Sequence, residues 1–130
     1  MLDDHAVYQC VRRHMLAQLA ASADDAGSRR LRGYRGCKCA IGCLIREEHY
    51  HPALEHLAVA YCRNYPDSPL LMALAASGVD VRSKASIDLL IALENIHDGT
   101  AVDEWPCRLD RLGRERGFIA DTSPSGLATA

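Results

Sequence analysis

Aromatic residues are scarce: the 130-residue chain has one Trp, one Phe and five Tyr. β-branched residues are sparse too, and the apolar 48% is mostly Ala and Leu. Both are strong helix formers, while sheets favour β-branched and aromatic side chains, so the composition argues against a sheet protein. No apolar run approaches the roughly 20 residues a membrane-spanning helix needs, and no signal-type apolar stretch follows the first methionine. A cytoplasmic protein with no membrane partner is the expectation. Charge of one sign is also lacking. The formal net charge is −2, whereas nucleic-acid-binding domains of this size are usually basic.

What is present points to one domain. A chain of this length buries roughly two thirds of its unfolded surface and needs no staple. The six cysteines, in a reducing compartment, read as free thiols or a metal site rather than as three disulfides.

The spacing of apolar residues predicts an all-α fold, a single compact domain of about five helices. Asp3 or Asp4 caps a helix over 3–21, with Val7, Val11, Met15 and Leu19 along one face. Residues 22–36 carry three glycines and no period, which reads as a mobile loop. Ala40, Ile41, Leu44 and Ile45 suggest a helical turn, which Gly42 weakens. Pro52 opens a helix to about Arg63 with Leu54, Leu57, Ala58 and Tyr61 inward. Ser68 and Pro69 start a short helix that Gly78 closes. Ser83 opens the helix near 84–97, whose Ile87, Leu89, Leu90, Ile91, Leu93 and Ile96 wrap most of the circumference. A helix apolar nearly all round is central. Thr100 and Asp103 are spaced to cap a last helix, about 103–116, with Trp105, Leu109 and Leu112 inward and Gly117 after its end. The domain runs over 1–120, and the small polar tail at 121–130 reads as disordered.

The densest cluster of unusual residues is Cys37 to Tyr50. Cys37, Cys39 and Cys43 with His49, or with His51 or Cys62 as the fourth ligand, supply a donor set valid for zinc. C-x-C-x3-C nevertheless lacks the second ligand pair of the common zinc modules. Small apolar core residues are the favoured reading of these cysteines, with no cofactor. A thiol with His97 and Asp98, or with His49, is the catalytic alternative. Asp98 is better placed to end a helix than to orient His97, so the expectation is no enzyme and no catalytic residue.

The basic run before that cluster is more suggestive. Between Ser28 and Arg46 there are six basic residues and no acid. Arg29, Arg30, Arg32, Tyr34 and Arg35 interleave arginine with tyrosine, residue types enriched at binding hot spots. Such a loop suits an acidic protein surface, or a phosphate backbone with stacked bases. It also suits Glu47 and Glu48 of its own chain. As exposed charges these arginines should contribute little to stability.

Tyr34-Arg35-Gly36, Cys39-Ala40-Ile41-Gly42, Leu44-Ile45, the acidic pair Glu47-Glu48 with Tyr50, Ile96-His97-Asp98 and Trp105 form a longer pattern. It resembles a group of small bacteriophage and prophage proteins over about Gly33 to Phe118. Arg46 stands where that pattern has proline. The resemblance brings no catalytic residue with it. It implies an accessory protein that acts by binding a host protein or protein–nucleic acid complex, for example as an anti-CRISPR-like inhibitor of a defence or nuclease complex. The alternative is a zinc- or thiol-dependent regulatory module with nucleic-acid contact through residues 28–36.

Overall fold

A computed structural model describes residues 1–119; the tail at 121–130 lies outside the described residues. The fold is all-α, with five α-helices and no strand among the described residues. α1 spans Asp4–Gln18, α2 Val59–Cys62, α3 Pro69–Ala76, α4 Lys84–Gly99 and α5 Trp105–Glu115. No helix among them is long and apolar enough to cross a membrane.

α1 begins where Asp3 accepts the Ala6 amide at 2.8 Å, which satisfies an orphan donor of the first turn. It buries Val7, Tyr8, Val11 and Met15. It ends earlier than the periodicity predicts. Leu19 adopts a left-handed conformation at φ 47° and is 54% exposed, so it leaves the apolar stripe. The turn serves a tertiary bond: three residues later, Ser22 donates its amide to His97.

α4 is central, as its apolar circumference implies. It packs on α1, α2 and α5, and Ile87, Leu89, Leu90 and Leu93 are buried. Ser83 caps it through the Ser86 amide. At its other end the Thr100 hydroxyl donates to the Ile96 carbonyl.

α5 closes the core with Trp105, Leu109 and Leu112. Its start differs from expectation, because a 3-10 turn at Val102–Glu104 leads in and neither Thr100 nor Asp103 caps it. Its end has the bonding of a Schellman motif: Gly117, at φ 75°, donates to Arg114, and Phe118 donates to Gly113. α1 and α5 meet at Tyr8, whose hydroxyl donates to the Leu109 carbonyl at 2.6 Å. A Cβ at position 113 would collide with the Tyr8 hydroxyl, so glycine there permits the contact.

The expected helix over 52–63 is broken in two. A 3-10 turn covers Pro52–Leu54, the chain then extends through Glu55, and one turn of α2 follows. Leu54 and Val59 are buried, but Tyr61 points outward at 79% exposure. The cause is polar and tertiary. Glu55 takes backbone amides from another segment, and the Val59 amide is taken by Glu94. In a continuous helix the Val59 amide would donate to the Glu55 carbonyl instead, so propensity loses to this tertiary bond.

Candidate macromolecule-binding loop

Residues 22–38 carry the candidate binding side chains, and they are held rather than free. Ser22 is buried and donates its amide to His97 Nε2 at 3.0 Å. Its hydroxyl donates to the Cys37 carbonyl. Asp24 accepts the amides of Ala26 and Ser28 at 2.9 Å each, which forms a tight turn. Isolated bridges pair Ala23 with Arg29 and Arg32 with Lys38. Leu31 inserts into the core. The expectation of a mobile connector is therefore corrected. Backbone hydrogen bonds that periodicity cannot register order this segment.

Gly42 completes the arrangement. A Cβ there would run into the Leu31 carbonyl, so the glycine of Cys39-Ala40-Ile41-Gly42 admits the loop backbone. A 3-10 turn at Gly42–Leu44 takes the place of the expected helical turn.

Glu55 is the polar centre beneath the loop. Its buried carboxylate accepts the Leu31 amide at 2.8 Å, the Arg32 amide at 3.1 Å and the Tyr50 hydroxyl at 2.6 Å. Arg30 Nε lies 3.3 Å away, at ion-pair distance but without hydrogen-bond alignment. Burial pushes the Glu55 carboxyl up. The hydrogen bonds from Tyr50 and the two amides, with Arg30 beside them, outweigh burial and hold it below the usual carboxylate range.

The five candidate residues divide accordingly. Arg30 faces Glu55 and Asp24. Arg32 pairs with Glu47, donates to the Ile45 carbonyl at 3.0 Å and stacks over Tyr50 at 4.4 Å. These two are engaged within the chain, so the premise that they are exposed charges is corrected for them. Arg29, Tyr34 and Arg35 face outward. Tyr34 is 61% exposed, and the Arg35 guanidinium lies 5.8 Å from its ring centroid. Arg35 holds a left-handed φ of 56°, a strained conformation for arginine. Beside them, a small cleft of about 120 Å³ is lined by Arg29, Arg30, Cys39, His56, Glu94 and Asp98.

Glu94 contrasts with Glu55. Its carboxylate accepts the Val59 amide at 3.0 Å. Burial pushes its carboxyl up, the nearby Asp98 charge adds to that, and the amides of Val59 and Ala60 offset only part.

The alternative sites are not assembled. Among the described residues no group of three or more His, Cys, Asp or Glu side chains could hold a metal ion, so Cys37, Cys39, Cys43 and His49 do not form the zinc set. Asp98 does face His97, 2.6 Å from Nδ1, contrary to the expectation that it only ends the helix. His97 is nonetheless fully buried, and its Nε2 accepts the Ser22 amide. The lone pair a general base needs is occupied, and the imidazole acts as a structural bridge. Its ring packs on Trp105, centroids 5.3 Å apart.

Sequence reasoning missed Glu55, Glu94 and the His97–Ser22 bond. A single acid within an apolar stretch reads as a solvated position, and no local spacing marks it as an acceptor for distant amides.

No family model matches the chain, and no solved structure matches it. Over 65 residues, 48% of the chain, it is 37% identical to part of a DNA ligase from Exiguobacterium sibiricum. That stretch is 10% of the ligase's length. A segment so small relative to the ligase does not carry the ligase's activity to this chain.

Proposed function

We propose that this chain is a phage- or prophage-type accessory protein that acts by binding a host macromolecule, a protein or a protein–nucleic acid complex. Inhibition of a defence or nuclease complex, in the manner of anti-CRISPR proteins, is the concrete form. The observation that carries the reading is the exposed edge of Arg29, Tyr34 and Arg35 on a segment whose backbone is anchored from beneath. An anchored loop loses little conformational entropy when it docks. Tyrosine and arginine provide an amphipathic anchor and planar donors for an acidic face. A cytoplasmic setting fits six cysteines that are all free.

The partial similarity to a DNA ligase suits a second reading, nucleic-acid contact, for which the same edge is the candidate surface. Arginine pairs with phosphate and tyrosine stacks on bases. The net acidity of the whole chain favours a protein face over bare nucleic acid.

The test is capture from host lysate with mass-spectrometric identification, comparing the natural chain with Tyr34→Ala/Arg35→Ala. Loss of one specific partner, with an unchanged thermal midpoint, is the expected result. Equal recovery of that partner by the double variant rejects this surface. Anisotropy with labelled single- and double-stranded DNA separates the second reading, which requires binding by the purified chain that the double variant loses.

A further inference from the structure

Three of the helices turn charge to solvent: Arg13 on α1, Lys84 on α4 and Arg111 on α5 are exposed. α2 and α3, which pack on each other, have no charged side chain at all. Every residue of α3 is apolar. A helix apolar all round belongs in an interior, yet only one side of α3 is covered. Leu70, Leu71, Ala73 and Leu74 are buried, while Pro69, Met72, Ala75 and Ala76 are exposed. The bare side continues beyond the helix. Tyr61 on α2 and Tyr65 in the turn between the helices are exposed as well, Tyr65 at 67%, and Met72 is 57% exposed. Backbone bonds step along the same line: the Tyr65 amide donates to Cys62, the Ser68 amide to Tyr65 and the Met72 amide to Ser68. Apolar residues exposed singly are ordinary, but a strip of them marks a contact surface. Tyrosine and methionine are also the residue types enriched at protein interfaces.

Charge and shape together indicate what covers the strip. It has no charge to select an acidic or a basic partner, and no like charges would meet if it faced itself. Its bulk falls from one end to the other. Tyr61, Tyr65 and Met72 lead, and the small Ala75 and Ala76 follow. Turned end for end, the strip is therefore its own complement, with the large side chains of one copy over the alanines of the next. Antiparallel self-matching is the geometry of a two-fold interface. At roughly 200 Å² for a whole side chain of this size, the two tyrosines and the methionine expose on the order of 400 Å² in each copy. With the neighbouring Pro66, Pro69, Ala75 and Ala76, two copies would bury about the 1,000 Å² at which specific interfaces begin. That size suits a dimer that dissociates on dilution.

We propose that the outer face of α2 and α3 is a homodimer interface, in which two copies pack antiparallel and Met72 of each lies over Ala76 of the other. The dimer would display two Arg29–Tyr34–Arg35 edges in one particle. The interface stands whether or not those edges bind a partner.

Sedimentation equilibrium of the full chain, from roughly 1 μM to 1 mM, reads the mass directly. The expected result is a rise from the monomer mass towards twice that mass. The rise should persist in about 1 M sodium chloride, because apolar contacts are not screened. Met72→Glu should hold the chain at the monomer mass throughout, with an unchanged circular dichroism spectrum. The orientation is read by crosslinking with a bifunctional maleimide in a Cys107→Ser background, which removes the exposed native thiol. A mixture of Met72→Cys and Ala76→Cys chains should crosslink far more than either chain alone. A monomer at every concentration overturns the proposal, whether a different protein or none then covers the face. A dimer that salt disperses, or that Met72→Glu leaves intact, places the interface elsewhere and overturns it too. Stronger crosslinking within each single variant overturns the antiparallel arrangement. The mass of the natural chain decides the matter even if a variant fails to fold.

Discussion

The three long-range helices and the segment from Ser22 to Ala58 are held by different balances of forces. α1, α4 and α5 meet through apolar stripes, with Val7, Val11, Met15, Leu89, Leu90, Leu93, Trp105 and Leu109 buried between them. The intervening segment is mostly turns and 3-10 pieces. It shares the apolar core through Leu31, Ile41, Leu44, Ile45 and Leu54 and is fastened in addition by buried polar groups, Glu55 under Leu31 and Arg32 and His97 under Ser22. Apolar burial is non-directional and scales with area. Polar anchoring is directional, and its cost falls on whichever partner is left behind. A substitution in the first region should therefore remove packing, while one at a polar anchor of the second should strand donors.

Leu90→Ala gives the largest expected effect. It opens a cavity in the helix that contacts three others and should cost about 2–5 kcal/mol in denaturant melts. A loss under about 1 kcal/mol would show that α4 is not the shared core.

Glu55→Ala comes next, at about 3 kcal/mol. It leaves the Leu31 and Arg32 amides and the Arg30 guanidinium without their acceptor. Hydrogen exchange should report opening of residues 30–33 in particular. A cost comparable with that of an exposed carboxylate would end the distinction between the two regions.

The pH dependence sharpens the comparison within the polar region, since Glu55 and Glu94 are both buried but shifted oppositely. For Glu55 the folded state binds its proton less readily than the unfolded chain does. Its contribution is complete above the unfolded carboxylate value of about 4.3 and is lost as pH falls through the lower folded value. For Glu94 the folded state holds its proton more readily. Stability from this group therefore falls as pH rises from the unfolded value through the raised folded one. Glu55→Gln should flatten the acid limb of a stability–pH curve, and Glu94→Gln should flatten the opposing limb above it. Two identical curves would mean that neither carboxyl is perturbed as its surroundings require.

The smallest expected effect on stability is that of Tyr34→Ala with Arg35→Ala, because both side chains are outside the anchoring contacts. The thermal midpoint should stay within error of the natural chain. A clear drop would make the whole arginine segment structural, Arg29 and Arg35 included.

The helical region was legible because amphipathic periodicity and end signals are local. Asp3 and Ser83 cap as their positions imply, and Gly117 ends α5 as glycine at that point should. The failures are local rules overridden from a distance. Leu19 leaves its stripe because Ser22 must reach His97. The helix expected over 52–63 breaks where the Val59 amide bonds to Glu94 rather than to the Glu55 carbonyl. Gly42 reads as a weak helix residue, yet its missing Cβ is what lets Leu31 approach.

The chain's own composition and period determined that it would be all-α with α4 at the centre, since Ala- and Leu-rich stripes have few other ways to hide from water. Only the tertiary structure decided which arginines face solvent and which are paired. Those outcomes depend on pairings between segments tens of residues apart. A hydrogen-bond partner is chosen by position in space, which no spacing along the chain encodes.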